Sequence, residues 1–127
     1  MFCQRHTLAA TTDASGDATV YSSTVANGRV LQVRYVPGGT PIDTNGDIII
    51  SSEVTGVIVL DQDNIGTSAF TSAPRQATHL ASTGAASLFA AGGTAVTDYV
   101  VLANERLKLV VASGGNVCSG TFYVYVG

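Results

Sequence analysis

Charge is scarce in this chain. Asp, Glu, Lys and Arg make up 12% of its 127 residues, about half the usual share for a globular protein. A surface with so few charges has little to keep it from associating, which predicts self-assembly or docking onto a large partner. Its six Lys and Arg residues are scattered and the net charge is −3. That excludes the basic footprint a nucleic-acid binder needs to displace counterions. No stacking aromatics lie among basic residues either. Cysteine is nearly absent too: Cys3 and Cys118 are the two present. They lack metal-ligand spacing, and in a reducing compartment both are expected to be free thiols.

Other absences narrow the reading further. The first residues, Met1 to His6, carry no basic, apolar and cleavage regions of a secretory leader. No apolar run approaches the roughly 20 residues of a membrane span. The chain is therefore expected to stay in the cytoplasm where it is made, without a membrane partner. No nucleophile elbow, P-loop or dinucleotide fingerprint occurs. Gly92-Gly93 and Gly114-Gly115 read as turns, because no helix N-terminus follows either pair.

What is present is alternation. Leu107, Leu109 and Val111 share one face of a strand over Arg106–Ala112. Phe122, Val124 and Val126 share a face of a second strand over Thr121–Val126, with Tyr123 and Tyr125 opposite. A period of two marks a sheet with a buried face. The Gly-rich connection Ser113–Gly120 joins these strands as a C-terminal hairpin, stitching the end of the chain into the sheet. Upstream, strands are expected at Arg5–Thr12, Ala18–Val25 and Arg29–Val36, the last two joined as a hairpin by Asn27-Gly28. Leu31, Val33 and Tyr35 form the inward face of the third.

Asp47–Glu53 and Gly56–Gln62 make a further hairpin turning at Val54-Thr55. Ile48-Ile49-Ile50 and Val57 to Leu60 are unbroken apolar runs, as expected of central strands covered on both faces. From Asp63 to Asp98 the pattern loosens into a long irregular loop, in which Ala85–Ala91 has room for one or two helical turns between glycines. Tyr99–Ala103 resumes strand. The whole predicts one all-β domain over residues 1–127: an antiparallel β-sandwich of seven or eight strands, jelly-roll-like, with an extended N-terminal arm over residues 1–6.

Chemistry is hard to find in it. Asp43 to Asp47 has oxygen donors on alternate residues, but Ile48 stands where a calcium loop needs glycine and the twelfth position is not acidic. His6 and His79 are remote from each other and from any Cys or carboxylate pair. Asp61 and Asp63 read as a solvated strand end rather than an acid–base pair. The expectation is a non-enzyme with no cofactor, no metal and no catalytic residues. Pro74–His79 is the one segment that looks composed, since Arg75 and His79 in a small-residue stretch can bond directionally to a neighbouring chain.

Five segments together, Asp47–Gly56, Pro74–His79, Ala90–Thr94, Ala103–Asn116 and Ser119–Phe122, resemble a family of small structural proteins of tailed-bacteriophage virions. The similarity covers about the last two-thirds of the chain. It implies a capsid decoration, or cement, protein on a jelly-roll sandwich, bound to the major capsid protein on the outside of the head after assembly in the host cytoplasm. It also implies a homotrimer that bridges neighbouring capsomers. The contacts would then come from the N-terminal arm, with Phe2, Arg5 and His6, and from the loop Asn64–His79, with Phe70, Arg75, Gln76 and His79 as anchors. A tail, neck or fibre subunit of the same virion is the alternative. A carbohydrate-binding jelly roll is the other, using Tyr21, Tyr35, Tyr99, Tyr123 and Tyr125 as stacking platforms, though tryptophan is lacking for it.

Overall fold

A computed structural model describes residues 2–127, and Met1, part of the expected arm, lies outside the described residues. The strands are β1 Gln4–Thr11, β2 Ala18–Pro37, β3 Asp47–Ser52, β4 Ile58–Gln62, β5 Phe70–Ser72, β6 Arg75–Ala77, β7 Thr97–Tyr99, β8 Val101–Ala112 and β9 Ser119–Val126. Seven of them connect in the order β1-β9-β2-β8-β3-β4 with β5 also on β2, and β6 and β7 form a separate two-stranded sheet. Every pairing between these strands is antiparallel. The architecture is an all-β sandwich, as the alternation predicts.

The long strand β2 belongs to both layers. Ala18 pairs with Val111 and Arg29 with Val101, so its first half runs along β8. Val30 then pairs with Val126 and Pro37 with Gly120, so its second half runs back along β9. The chain does turn at Asn27-Gly28, but into the opposite layer. The expected hairpin there is an arch between sheets. Gly28 takes φ 117 at this corner, open to a residue without Cβ. A Cβ there would meet the Gly127 carbonyl oxygen at 3.0 Å. The side-chain oxygen of Asn27 accepts the Asn104 N–H at 2.7 Å instead of supporting a tight hairpin.

The C-terminal pair is corrected in the same way. β8 pairs with β2 and β3, and β9 with β1 and β2, so residues 113–118 cross from one layer to the other. Their reading as separate alternating strands stands. Leu107, Leu109 and Val111 on one, and Phe122, Val124 and Val126 on the other, are all buried and face each other across the core. Each is worth roughly 1.5–3 kcal/mol of burial. The apolar runs of β3 and β4 are covered on one face only. Ile48, Ile50 and Val59 are in the core, while Ile49 and Ile58 are exposed. β4 ends the strand order rather than standing at its centre. Ile58 is thus an outer residue of the edge strand, while Ile49 lies on β3, flanked by β8 and β4 but with its outer face uncovered.

Three aromatic residues close the core. Tyr35 stacks on Phe122 at 4.7 Å between centroids, and Phe70 leans on both rings at 5.4 and 6.4 Å. Gly120 sits under Tyr35 so closely that an added Cβ would lie 2.5 Å from the ring. Thr12 fastens the crossing segment 113–118 to the end of β1. Its hydroxyl accepts the Cys118 N–H at 2.8 Å and donates to the Gly115 carbonyl at 2.6 Å.

Candidate functional site

Residues 73–99 leave the sandwich and fold outside it. β6 and β7 make the base, pairing Arg75 with Tyr99, Gln76 with Asp98 and Ala77 with Thr97. Beyond them a third segment joins. The Thr78 N–H donates to Val96, the Val96 N–H to Ser87 and the Ser87 N–H to Thr78, at 2.9, 2.8 and 2.9 Å. Each of three segments is therefore bonded to the other two. Isolated bridges His79–Ala86 and Leu88–Ala95 extend the pairing. The two tips close on Leu80 N–H to Ala85 and Phe89 N–H to Thr94. Gly84 and Gly92 supply the positive φ at these tips. The helical turns expected over Ala85–Ala91 are absent; this stretch is turn and bridge.

The local sequence accounts for this form. Ala, Gly, Ser and Thr give the segment little to bury, so backbone hydrogen bonds rather than a core hold it together. None of residues 66–99 is buried. Its larger apolar side chains point outward: Leu80 and Leu88 are about half exposed, and Phe89 at a tip is 76% exposed. At the root, the Arg75 guanidinium lies 4.1 Å from the centroid of the Tyr99 ring and that of Arg29, from β2, lies 5.3 Å away. Arg75 also donates to the Pro74 carbonyl at 3.0 Å.

The residues singled out in the sequence are spread over this frame. Arg75, Gln76 and His79 are exposed on the arm. Phe2 is 99% exposed just ahead of β1. Arg5 is exposed within β1, its guanidinium 4.9 Å from the Tyr123 ring centroid. The extended N-terminal arm is shorter than expected, because Gln4, Arg5 and His6 are already paired with β9. Two residues are not surface anchors at all. His6 is buried, with Nδ1 3.4 Å from the Thr24 hydroxyl and Nε2 without a partner among the described residues. Burial holds its pKa below the usual histidine value. Phe70 is half-buried, its ring packed against the core on Tyr35 and Phe122. Its position after a polar loop hid the three-residue strand that tucks it inward. Phe89 carries no signal of its own in the sequence: it falls in the stretch with room for helical turns, and only the flanking glycines mark a tip.

Among the described residues there is no ligand-sized pocket and no group of three or more His, Cys, Asp or Glu residues placed to hold a metal. The strongest polar network is structural. Glu105 accepts the N–H groups of Val54 and Thr55 at 2.7 and 2.8 Å and the Thr55 hydroxyl at 2.5 Å. Beside it Glu53 and Arg106 form a two-pronged ion pair. The Thr55 hydroxyl, with the two backbone N–H groups, lowers the Glu105 pKa, and the Arg106 guanidinium lowers that of Glu53.

Tyrosine faces are largely taken. Tyr35 is core, and Tyr21, Tyr99 and Tyr123 each have an arginine over the ring. No family model matches the chain, and no curated protein matches it. Among solved structures it is similar to one titled "Crystal Structure of FLHE", at 13% identity and a TM-score of 0.41, over 99% of this chain and 98% of that one. A likeness at that level carries nothing about function.

Proposed function

We propose that this chain is a non-catalytic structural subunit that decorates the head of a tailed-phage virion, docking on the major capsid protein through its projecting arm. The observation that carries the reading is the arm itself. An ordered excursion that buries no residue in its own chain, and presents Leu80, Leu88 and Phe89 to solvent, is built for a surface outside the molecule. Two of the segments that carry the phage resemblance, Pro74–His79 and Ala90–Thr94, lie in this arm. Phe89 is the apolar anchor, since covering a phenylalanine yields roughly 1.5–3 kcal/mol and aromatic residues dominate interface energy. Arg75, held over Tyr99, supplies a positioned cation at the root. Bridging adjacent capsomers in this way adds contact area without chemistry, and the scarce surface charge suits a protein that spends its life docked. Of the tyrosine faces that a sugar would need, Tyr35 is buried and Tyr21, Tyr99 and Tyr123 each have an arginine over the ring, which disfavours glycan binding.

The test is co-sedimentation of the purified chain with emptied capsid shells, together with copy number in gradient-purified particles. Copies near one per capsid subunit, and binding weakened about tenfold or more by Phe89→Ser, support decoration. A few dozen copies at most would place the chain in the tail or neck, and undiminished binding of the Phe89 variant would remove the arm from the contact.

A further inference from the structure

The layer built from β8, β3, β4 and the first half of β2 has an unusual outer face. Two rows of side chains cross it in register. Val110 on β8, Ile49 on β3 and Asp61 on β4 make one row, and Tyr21 on β2, Lys108, Ser51 and Ile58 make the next. The alternate residues Leu109, Ile48 and Ile50 are in the core, so these rows point outward. Ile49 is 38% exposed, Tyr21 42% and Ile58 48%, and Val25 further along β2 is bare as well. The strands of the other layer leave no large apolar side chain exposed.

The charges on this face are reciprocal. Towards one end Arg106 and Glu53 satisfy each other, both Glu53 oxygens being held. At the other end lies the rim where residues 12–17, 42–47 and 113–118 are sewn together, Gly114 N–H donating to Gly16 at 2.8 Å and Asp43 N–H to Gly114 at 2.9 Å. Asp47 ends β3 there, its carboxylate accepting the Asn64 N–H at 3.0 Å. Lys108 and Asp61 remain, one in each row and on either side of β3. Neither has an opposite charge within ion-pair distance among the described residues.

We infer that this face is the contact of a two-fold dimer, its occupant the same face of a second copy. With strands about 4.8 Å apart and rows about 6.7 Å apart, a two-fold axis lying in the contact and crossing β3 between Ile49 and Ser51 exchanges the positions of Lys108 and Asp61. Lys108 of each copy then meets Asp61 of the other, so the pair forms twice. The same rotation lays Val110 over Ile49 of the other copy, which buries the bare aliphatic groups between the two ion pairs. A two-fold contact requires a surface complementary to itself. The outer face of the other layer is not: Arg5 and Arg34 stand on it, and its strands carry no Asp or Glu, so two such faces oppose like charges. The inference stands apart from the capsid reading, since it uses neither the arm nor Phe89.

Sedimentation velocity on the full chain tests it, at about 1 µM and then at about 100 µM. A dimer that grows with concentration is expected. Ile49→Ser should weaken it about tenfold or more, since two isoleucines leave the contact. Lys108→Asp alone, or Asp61→Lys alone, should give monomers, because each sets like charges together twice. Mixing these two variants should restore a dimer made of one copy of each, in which both pairs are again opposite in charge. Mixing cannot repair an interaction within one chain, so recovery reports a contact between copies. A wild-type chain that stays monomeric at about 100 µM, as it does if a different protein covers the face, overturns the inference. So does a trimer, a dimer indifferent to all three variants, or a pair of folded variants that mixing leaves monomeric. The wild-type series and Ile49→Ser decide the matter even if a charge variant fails to fold.

Discussion

At the residue scale, the molecule is set by a few positions where nothing else fits. Gly120 is one. Its backbone is ordinary, but the ring of Tyr35 occupies the place of a Cβ, with Cε1 2.5 Å away. Gly120→Ala must push that ring off Phe122 or bend β9, and overpacking of this kind costs roughly 1–3 kcal/mol. The expected result is a lower denaturant midpoint with an unchanged slope; an unaltered midpoint would mean the core yields there freely. His6 is another. Its imidazole is buried and its Nε2 lacks a partner, so desolvation lowers its pKa below the ordinary 6.5. Below 6.5 the unfolded chain takes up a proton that the folded chain resists, so stability holds above that pH and declines as pH falls toward the folded-state pKa. Unfolding midpoints measured downward from neutral pH should show this decline, and His6→Leu should flatten it. Neither position announces itself in the sequence. Leu8 and Ala10 show the inward face of β1, but His6 on the same face reads as polar, and that polarity misdirected it to the surface.

At the scale of the element, strands were legible and their partners were not. The period of two gives the inward faces of β8 and β9 residue by residue, because each alternate side chain is either in the core or out of it. Pairing is a long-range property. Asn27-Gly28 and residues 113–118 are turn sequences by any local rule, yet both carry the chain into the opposite layer, since β9 and β8 already flank the two halves of β2. The arm was legible only as a departure from periodicity: the sequence shows small residues there, and small residues leave no pattern of burial to read. The turn between β3 and β4 is a different case, correctly placed but with its fastening hidden fifty residues away. Glu105 takes both N–H groups of that turn, and its pKa is lowered by these bonds. Glu105→Gln weakens acceptors that a carboxylate makes strong. Amide exchange at Val54 and Thr55 should therefore quicken while core amides of β8 and β9 keep their protection. In the wild type the same loosening should appear as pH falls below the ordinary glutamate value of 4.5 toward the lowered pKa. Exchange at the turn that ignores both changes would show that the bonds of Ser52 suffice to hold it, its hydroxyl accepting the Val57 N–H at 2.8 Å and its own N–H donating to the Val57 carbonyl at 2.9 Å.

At the scale of the whole molecule, the consequence of the arches is cooperativity. A sandwich whose layers were joined only by loops could lose one sheet before the other. Here β2 is a member of both, paired with β8 over its first half and with β9 over its second, and residues 113–118 tie the remaining ends together. Melting either layer strips a partner from β2 and exposes the inner face of the other, so the two layers should unfold in one step. The cysteines provide the probe. Cys118 is buried at the rim while Cys3 is exposed ahead of β1. In register Cys118 lies opposite Thr12, nine positions from Cys3 and so about 30 Å away at ~3.3 Å per residue. A disulfide between them is therefore out of reach in the folded state. In a Cys3→Ser variant, thiol labelling of Cys118 should follow the same denaturant midpoint as the far-UV circular dichroism of the strands. The arm should add no second transition, because it buries no residue of its own. Labelling of Cys118 well before the strands melt would mean that the rim opens by itself, and that the crossing segment clamped by Thr12 is a latch rather than part of a single cooperative body.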